Sequence, residues 1–146
     1  SIPRFWIIFG KTVLCSMKKF ENFCKALNNL EDIRKYTPPY DNVVLTGLVS
    51  LYQICFEQAW KAMKETMENE GVNTAVTGSP RSIIKEAYRF HMIDDESAWL
   101  SALQARNLAS HAYNQETALE IVKNTREAYL PLFHKLKASI EQNWIH

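Results

Sequence analysis

The feature that most constrains this chain is the run from Asp41 to Glu70. Its apolar positions, Val44, Leu48, Leu51, Tyr52, Cys55, Phe56, Ala59, Trp60, Met63 and Met67, recur at steps of three and four. Only a long amphipathic helix puts such a set on one face. Val43, Leu45, Val49 and Ile54 widen the stripe in its first half, so this helix is expected to bury itself against more than one neighbour. Two further helices and a second subunit would supply those neighbours. Gly71 follows where a helix ends in a left-handed residue, and residues 72–78 read as a loop.

The flanking segments show the same period. From Met17 to Tyr36 the positions Phe20, Phe23, Leu27, Leu30 and Ile33 define an amphipathic helix, stopped by Pro38-Pro39. Ser79-Pro80 opens a short helix to about Phe90 that buries Ile83, Ile84 and Ala87, with serine as the cap and proline at the first position. Asp94 or Asp95 caps a fourth helix carrying Trp99, Leu100 and Leu103. Asn114, ahead of Gln115-Glu116-Thr117, caps a last helix that runs to about Trp144. Pro131 falls inside that helix and removes the bond to Glu127, which predicts a kink. The expected fold is all-α: an antiparallel up-down four-helix bundle with one additional short helix.

Composition narrows the function. A formal charge of +1 gives no overall basic field, so any contact with RNA or nucleotide has to be local. The 47% apolar fraction suits one domain with a real core. Three cysteines (Cys15, Cys24, Cys55) without CxxC spacing, and four histidines set far apart, argue against a disulfide framework and a metal site. No cofactor is expected, and the thiols fit a reducing cytoplasm. Residues 1–16 include Phe5-Trp6-Ile7-Ile8-Phe9, a run too short and interrupted to span a bilayer. They read as an N-terminal extension, with the helical domain spanning 17–146 and no membrane involvement.

Chemistry gathers in one place. Arg106, Asn107, Ser110, His111 and Tyr113 pack an arginine, an amide, a hydroxyl, an imidazole and a phenol into a short stretch. Residues five apart on a helix diverge by about 140°, so Arg106 and His111 do not share a face. For both to act on one phosphate, the helix must end near Ser110, or the two side chains must come from opposing subunits. Given that, His111 can move a proton from a ribose 2′-hydroxyl or to a leaving 5′-oxygen. Arg106 binds the phosphate and stabilises charge as it builds. Asn107 would orient the imidazole or hold a phosphate oxygen. The set would cut RNA without a metal. Against this stand plain structural readings: Arg106 covering apolar surface with its stem, and Tyr113 as a core aromatic. Ser110 lacks a base that would make it a nucleophile. Elsewhere Trp60 and Trp99 read as core, Gln53, Glu57, Lys61 and Glu65 as a solvated face in which Glu57 matters only if it turns inward toward the groove, His134 as structural and His91 as part of a loop.

Arg106-Asn107-Leu108-Ala109-Ser110-His111-Ala112-Tyr113 resembles the R-x4-H-x-Y signature of HEPN domains, in particular the branch of nucleotidyltransferase substrate-binding proteins. Phe20-Glu21-Asn22-Phe23, Phe56 to Lys61, Ser79-Pro80-Arg81, Ile93-Asp94-Asp95 with Trp99, and Tyr129 to Phe133 resemble it in the same order, over about Met17 to Gln142. His91 departs from it, where the branch tends to carry a small residue. The resemblance implies a homodimeric helical bundle with the motif in a groove at the dimer interface. It also implies a minimal nucleotidyltransferase as partner, commonly as antitoxin to this toxin. Carried over, Arg106 would stabilise the phosphate, His111 would be the acid/base of a metal-independent endoribonuclease, and Tyr113 would accept AMP from the partner, silencing the toxin. The alternative is a non-catalytic subunit that binds nucleotide or another substrate for the nucleotidyltransferase.

Overall fold

The computed structural model describes residues 17–72 and 78–145. Every regular element among them is helical: α1 (Lys18–Leu30), α2 (Asn42–Asn69), α3 (Pro80–Arg89), α4 (Glu96–Leu108), α5 (Gln115–Asn124) and α6 (Leu130–Asn143). A π-turn, Thr125–Tyr129, joins α5 to α6, so the two form one long rod. Four main helices and the short α3 therefore make the expected all-α bundle. The expected extension 1–16 and most of the loop at 72–78 lie outside the described residues.

Caps fall where the sequence places them. The Ser79 hydroxyl accepts from the Ser82 amide, Asp95 rather than Asp94 accepts from Ala98, and Asn114 accepts from Glu116 and Thr117. Gly71 ends α2 with φ +83°. Two boundaries differ from expectation. The first helix is α-helical only to Leu30 and then tightens into a 3₁₀ turn, Glu31–Lys35. Residues three apart eclipse there, which suits the Glu31–Arg34 and Asp32–Lys35 ion pairs at 2.7 and 3.2 Å. At Pro131 the rod answers the missing N–H with the π-turn just before it, and the proline sits in the first turn of α6.

The start of α1 lies beside the end of α2: the Glu65 carboxylate accepts from the backbone amides of Lys19 and Phe20 at 2.8 and 3.3 Å. It closes the free N-terminus of α1, a task that Met17 has no side chain to perform. Burial raises the Glu65 carboxyl above its ordinary range, against the pull of those two amides. Helix α4 runs antiparallel to the α5–α6 rod, tied by Lys135 to Asp94 near its start and by Tyr129 to Ser101 further along.

The core is aromatic at its centre. Tyr52 lies 5.2 Å from Tyr129 and 6.1 Å from Phe133 between ring centroids, and Trp99 packs 5.5 Å from Phe133. Such pairs add to the burial of their area. The Tyr52 hydroxyl, itself buried, donates to the Ala102 carbonyl and so fixes α2 against α4 one helical turn before Arg106. Buried Thr66 and Thr125 satisfy their hydroxyls on the carbonyls of Ala62 and Ile121. Among the described residues, no helix is long and apolar enough to cross a membrane.

Trp99 is core as expected, but Trp60 is only half-buried, because its indole serves a polar partner. His134 pairs with Glu31, joining α6 to the 3₁₀ turn. Burial works to raise the Glu31 carboxyl, but the His134 and Arg34 hydrogen bonds prevail and lower it. His91 occupies the turn after α3 with φ +62°. That left-handed conformation favours glycine, a physical reason for a small residue at this position.

Candidate functional site

The motif straddles a helix end. Helix α4 stops at Leu108, a single 3₁₀ turn covers Ala109–His111, and the chain turns again before Asn114 starts α5. The condition set by the spacing is therefore met: Arg106 belongs to the last turn of α4, while His111 and Tyr113 stand beyond it. Ser110 donates its hydroxyl to the Asn107 carbonyl at 3.2 Å, closing the helix end.

The two side chains on either side of the break make different contacts. Arg106 reaches across to α2, where its Nε donates to Glu57 Oε2 at 2.9 Å and its Nη2 lies 2.8 Å from the same oxygen and 3.2 Å from Oε1. Its Nη1 donates to Asn107 Oδ1 at 3.0 Å. The side chains of Arg106 and Glu57 keep 28% and 31% exposure, so the pair is shielded yet reachable by a ligand. The Trp60 indole donates to Glu57 Oε1 at 2.8 Å and steadies the carboxylate from its own helix.

His111 and Tyr113 are exposed and meet edge to face, with ring centroids 6.1 Å apart. Tyr113 is 88% exposed, which removes its reading as a core aromatic. Arg106 and His111 thus occupy one neighbourhood of the chain without a hydrogen bond between them. Among the described residues, no group of three or more His, Cys, Asp or Glu side chains is placed to hold a metal ion.

One expectation is corrected. Gln53, Glu57, Lys61 and Glu65 are not a solvated face; all four are half-buried. Glu57 binds Arg106 and Glu65 caps α1. The four-residue step signalled a shared face, but the partners that cover it come from segments 49 and about 46 residues away. The only sequence sign was that this polar line continues the widened apolar stripe of α2.

Two hollows flank the motif. A groove of about 440 Å³ between α4 and α5 is lined by Ser101, Gln104, Asn114, Glu120, Asn124 and Tyr129, on the side of α4 away from Arg106. An open depression of about 550 Å³ runs past Asn107 beside Arg81, Ser101 and Gln104. The outer face of α2 carries Val43 and Ile54, 78% and 54% exposed, in line with Gly47, Ser50 and then Glu57 at steps of three and four.

A helical bundle with an R-x4-H-x-Y motif at the end of α4, its third main helix, is the arrangement that the resemblance to HEPN domains leads one to expect. The chain belongs to the family described as nucleotidyltransferase substrate binding protein like, whose model matches residues 18–142. It is 30% identical over 82 residues to a Haemophilus influenzae protein described as probable ribonuclease HepT; the match covers 55% of this chain and 56% of that protein's length. Two solved structures share the fold. One, from Haemophilus influenzae and described as the substrate-binding domain of a nucleotidyltransferase, superposes with a TM-score of 0.70 at 24% identity, over 82% of this chain and 97% of that one. The other, from Thermus thermophilus, gives 0.72 at 22% identity, over 82% and 99%.

Proposed function

We propose that this chain is the HEPN-type partner of a minimal nucleotidyltransferase and that it cleaves RNA without a metal, through Arg106 and His111. The observation that carries this reading is the break in α4 between them. It leaves an arginine held by α2 and an imidazole on an exposed turn, both open to a phosphodiester. His111 takes the 2′-hydroxyl proton as the 2′-oxygen attacks phosphorus, the imidazolium so formed returns it to the departing 5′-oxygen, and a 2′,3′-cyclic phosphate remains. Arg106 stabilises the charge that accumulates on the phosphate oxygens.

The active form is a homodimer. Within one chain Arg106 turns toward α2, so an Arg106 and a His111 that act together come from opposing copies across a shared groove. The exposed stripe Val43, Gly47 and Ile54, continuous with Glu57, supports α2 as part of that contact. Tyr113 is the AMP acceptor: its exposed phenol stands beside His111, and an added phosphate there would compete with RNA for the same groove. The nucleotidyltransferase thereby acts as antitoxin, in a cytoplasm that keeps Cys24 and Cys55 as thiols.

The test is RNA incubated with purified protein in excess chelator. Cleavage leaving cyclic phosphate ends, abolished in His111→Ala, is expected; cleavage unchanged in that variant removes His111 from the mechanism. Co-expression with its minimal nucleotidyltransferase partner should add one AMP mass to the peptide containing Tyr113. A second reading, a non-catalytic subunit that binds substrate for the nucleotidyltransferase, draws on the engagement of Arg106 by Glu57. It predicts nucleotide binding weakened by Arg106→Ala and no cleavage.

A further inference from the structure

We propose that Glu57 is a positioning residue for Arg106, set in turn by Trp60, and that it selects which edge of the guanidinium meets the phosphate. The inference rests on the ribonuclease reading above. A guanidinium has two edges that can form paired hydrogen bonds: the Nε/Nη2 edge and the terminal Nη1/Nη2 edge. Glu57 takes the first, with Oε2 at 2.9 Å from Nε and 2.8 Å from Nη2. The carboxylate is itself held, because Oε1 accepts from the Trp60 indole at 2.8 Å as well as from Nη2 at 3.2 Å. Asn107 holds Nη1 from the side at 3.0 Å. The group so fixed presents its terminal edge, where Nη1 and Nη2 have further N–H groups for phosphate oxygens.

The charge balance separates positioning from simple attraction. A carboxylate in contact with the arginine lowers the local pull on an anion, so Glu57 does not serve to gather RNA. Its benefit is orientation, which matters most when charge develops on the phosphate in the transition state. Loss of Glu57 therefore lowers kcat while leaving KM unchanged or lower. A residue needed only for the fold would show neither this split nor dependence on Arg106.

The experiment measures RNA cleavage by the full chain and its Glu57→Ala, Glu57→Gln and Trp60→Phe variants, alone and with Arg106→Ala. Glu57→Ala is expected to lower kcat by about 10- to 100-fold, the scale of a misplaced catalytic group. Glu57→Gln, which keeps an acceptor, recovers part of the loss, and Trp60→Phe loses about threefold, the low end of one hydrogen bond's net worth, because the indole acts on Arg106 only through Glu57. In the Arg106→Ala background, Glu57→Ala has no further effect. A kcat equal to or above wild type in Glu57→Ala, a loss confined to KM, or full additivity with Arg106→Ala overturns the proposal.

Failure of the ribonuclease reading is seen separately, as wild-type protein that leaves RNA intact. Positioning is then decided by the side-chain ¹⁵N–¹H signal of Arg106 Nε, assigned by its disappearance in Arg106→Lys. Protection from solvent exchange in wild type and its loss in Glu57→Ala supports Glu57 as the clamp. Equal protection in both overturns it.

Discussion

The two halves of the motif are built in opposite ways. Arg106 is shielded and engaged from two sides, by Glu57 on α2 and by Asn107 beside it. His111 and Tyr113, a few residues on, stand exposed on a turn and touch each other. An arginine that must meet a phosphate in one orientation gains from being fixed before the ligand arrives. Under the proposed function, an imidazole that exchanges protons and a phenol that is modified by a partner enzyme need access instead. The helix end between them lets one short stretch serve both needs.

The largest effect is expected at His111. His111→Ala should lower RNA cleavage by about 10²- to 10⁴-fold, the range for loss of a general acid or base, while changing folding stability by less than ~0.5 kcal/mol, as for an exposed side chain. Arg106→Ala should do both kinds of harm. Besides lowering cleavage by about 10²- to 10³-fold, it strands the half-buried Glu57 carboxylate and costs about 1–2 kcal/mol in denaturant unfolding. Equal stability of the two variants would erase the distinction between a fixed and an open half.

Smaller effects sharpen the frame around the fixed half. Tyr52→Phe removes the buried bond to Ala102 that sets α4 against α2, and should cost about 1 kcal/mol, with some loss of cleavage because Arg106 moves with α4. His91→Gly relieves the left-handed turn after α3 and should raise stability by up to ~1 kcal/mol. The smallest effect concerns pH. The Glu31 carboxyl lies below its ordinary range in the folded chain, through His134 and Arg34 and despite partial burial. Its contribution is therefore present above the unfolded value and is lost as pH falls through the folded one. Glu31→Gln should lower thermal stability slightly at neutral pH, and the gap to wild type should close on acidification.

Much of this was legible in the sequence because it is local. Ser79, Asp95 and Asn114 announce helix starts with their own side chains, and the period of Phe20, Phe23, Leu27 and Leu30 announces a buried face. The end of α4 near Ser110 followed from the angular argument and the cap at Asn114. What escaped was non-local. Glu57 and Glu65 looked like solvent-facing acids because nothing near them in sequence says that Arg106 or the start of α1 will cover them. Trp60 looked like core, and its indole instead holds Glu57. The family resemblance located Arg106, His111 and Tyr113, but not how α2 grips the first of them.

The central claim, that an arginine fixed in one copy works with a histidine presented by the other, is tested most directly by complementation. Arg106→Ala and His111→Ala chains, differently tagged and co-expressed, give a mixed dimer in which one of the two shared grooves keeps both residues. It should recover up to about half of wild-type RNA cleavage, as expected for one intact site in a twofold assembly, while each parent dimer stays inactive. A purified mixed dimer as inactive as its parents would contradict the account.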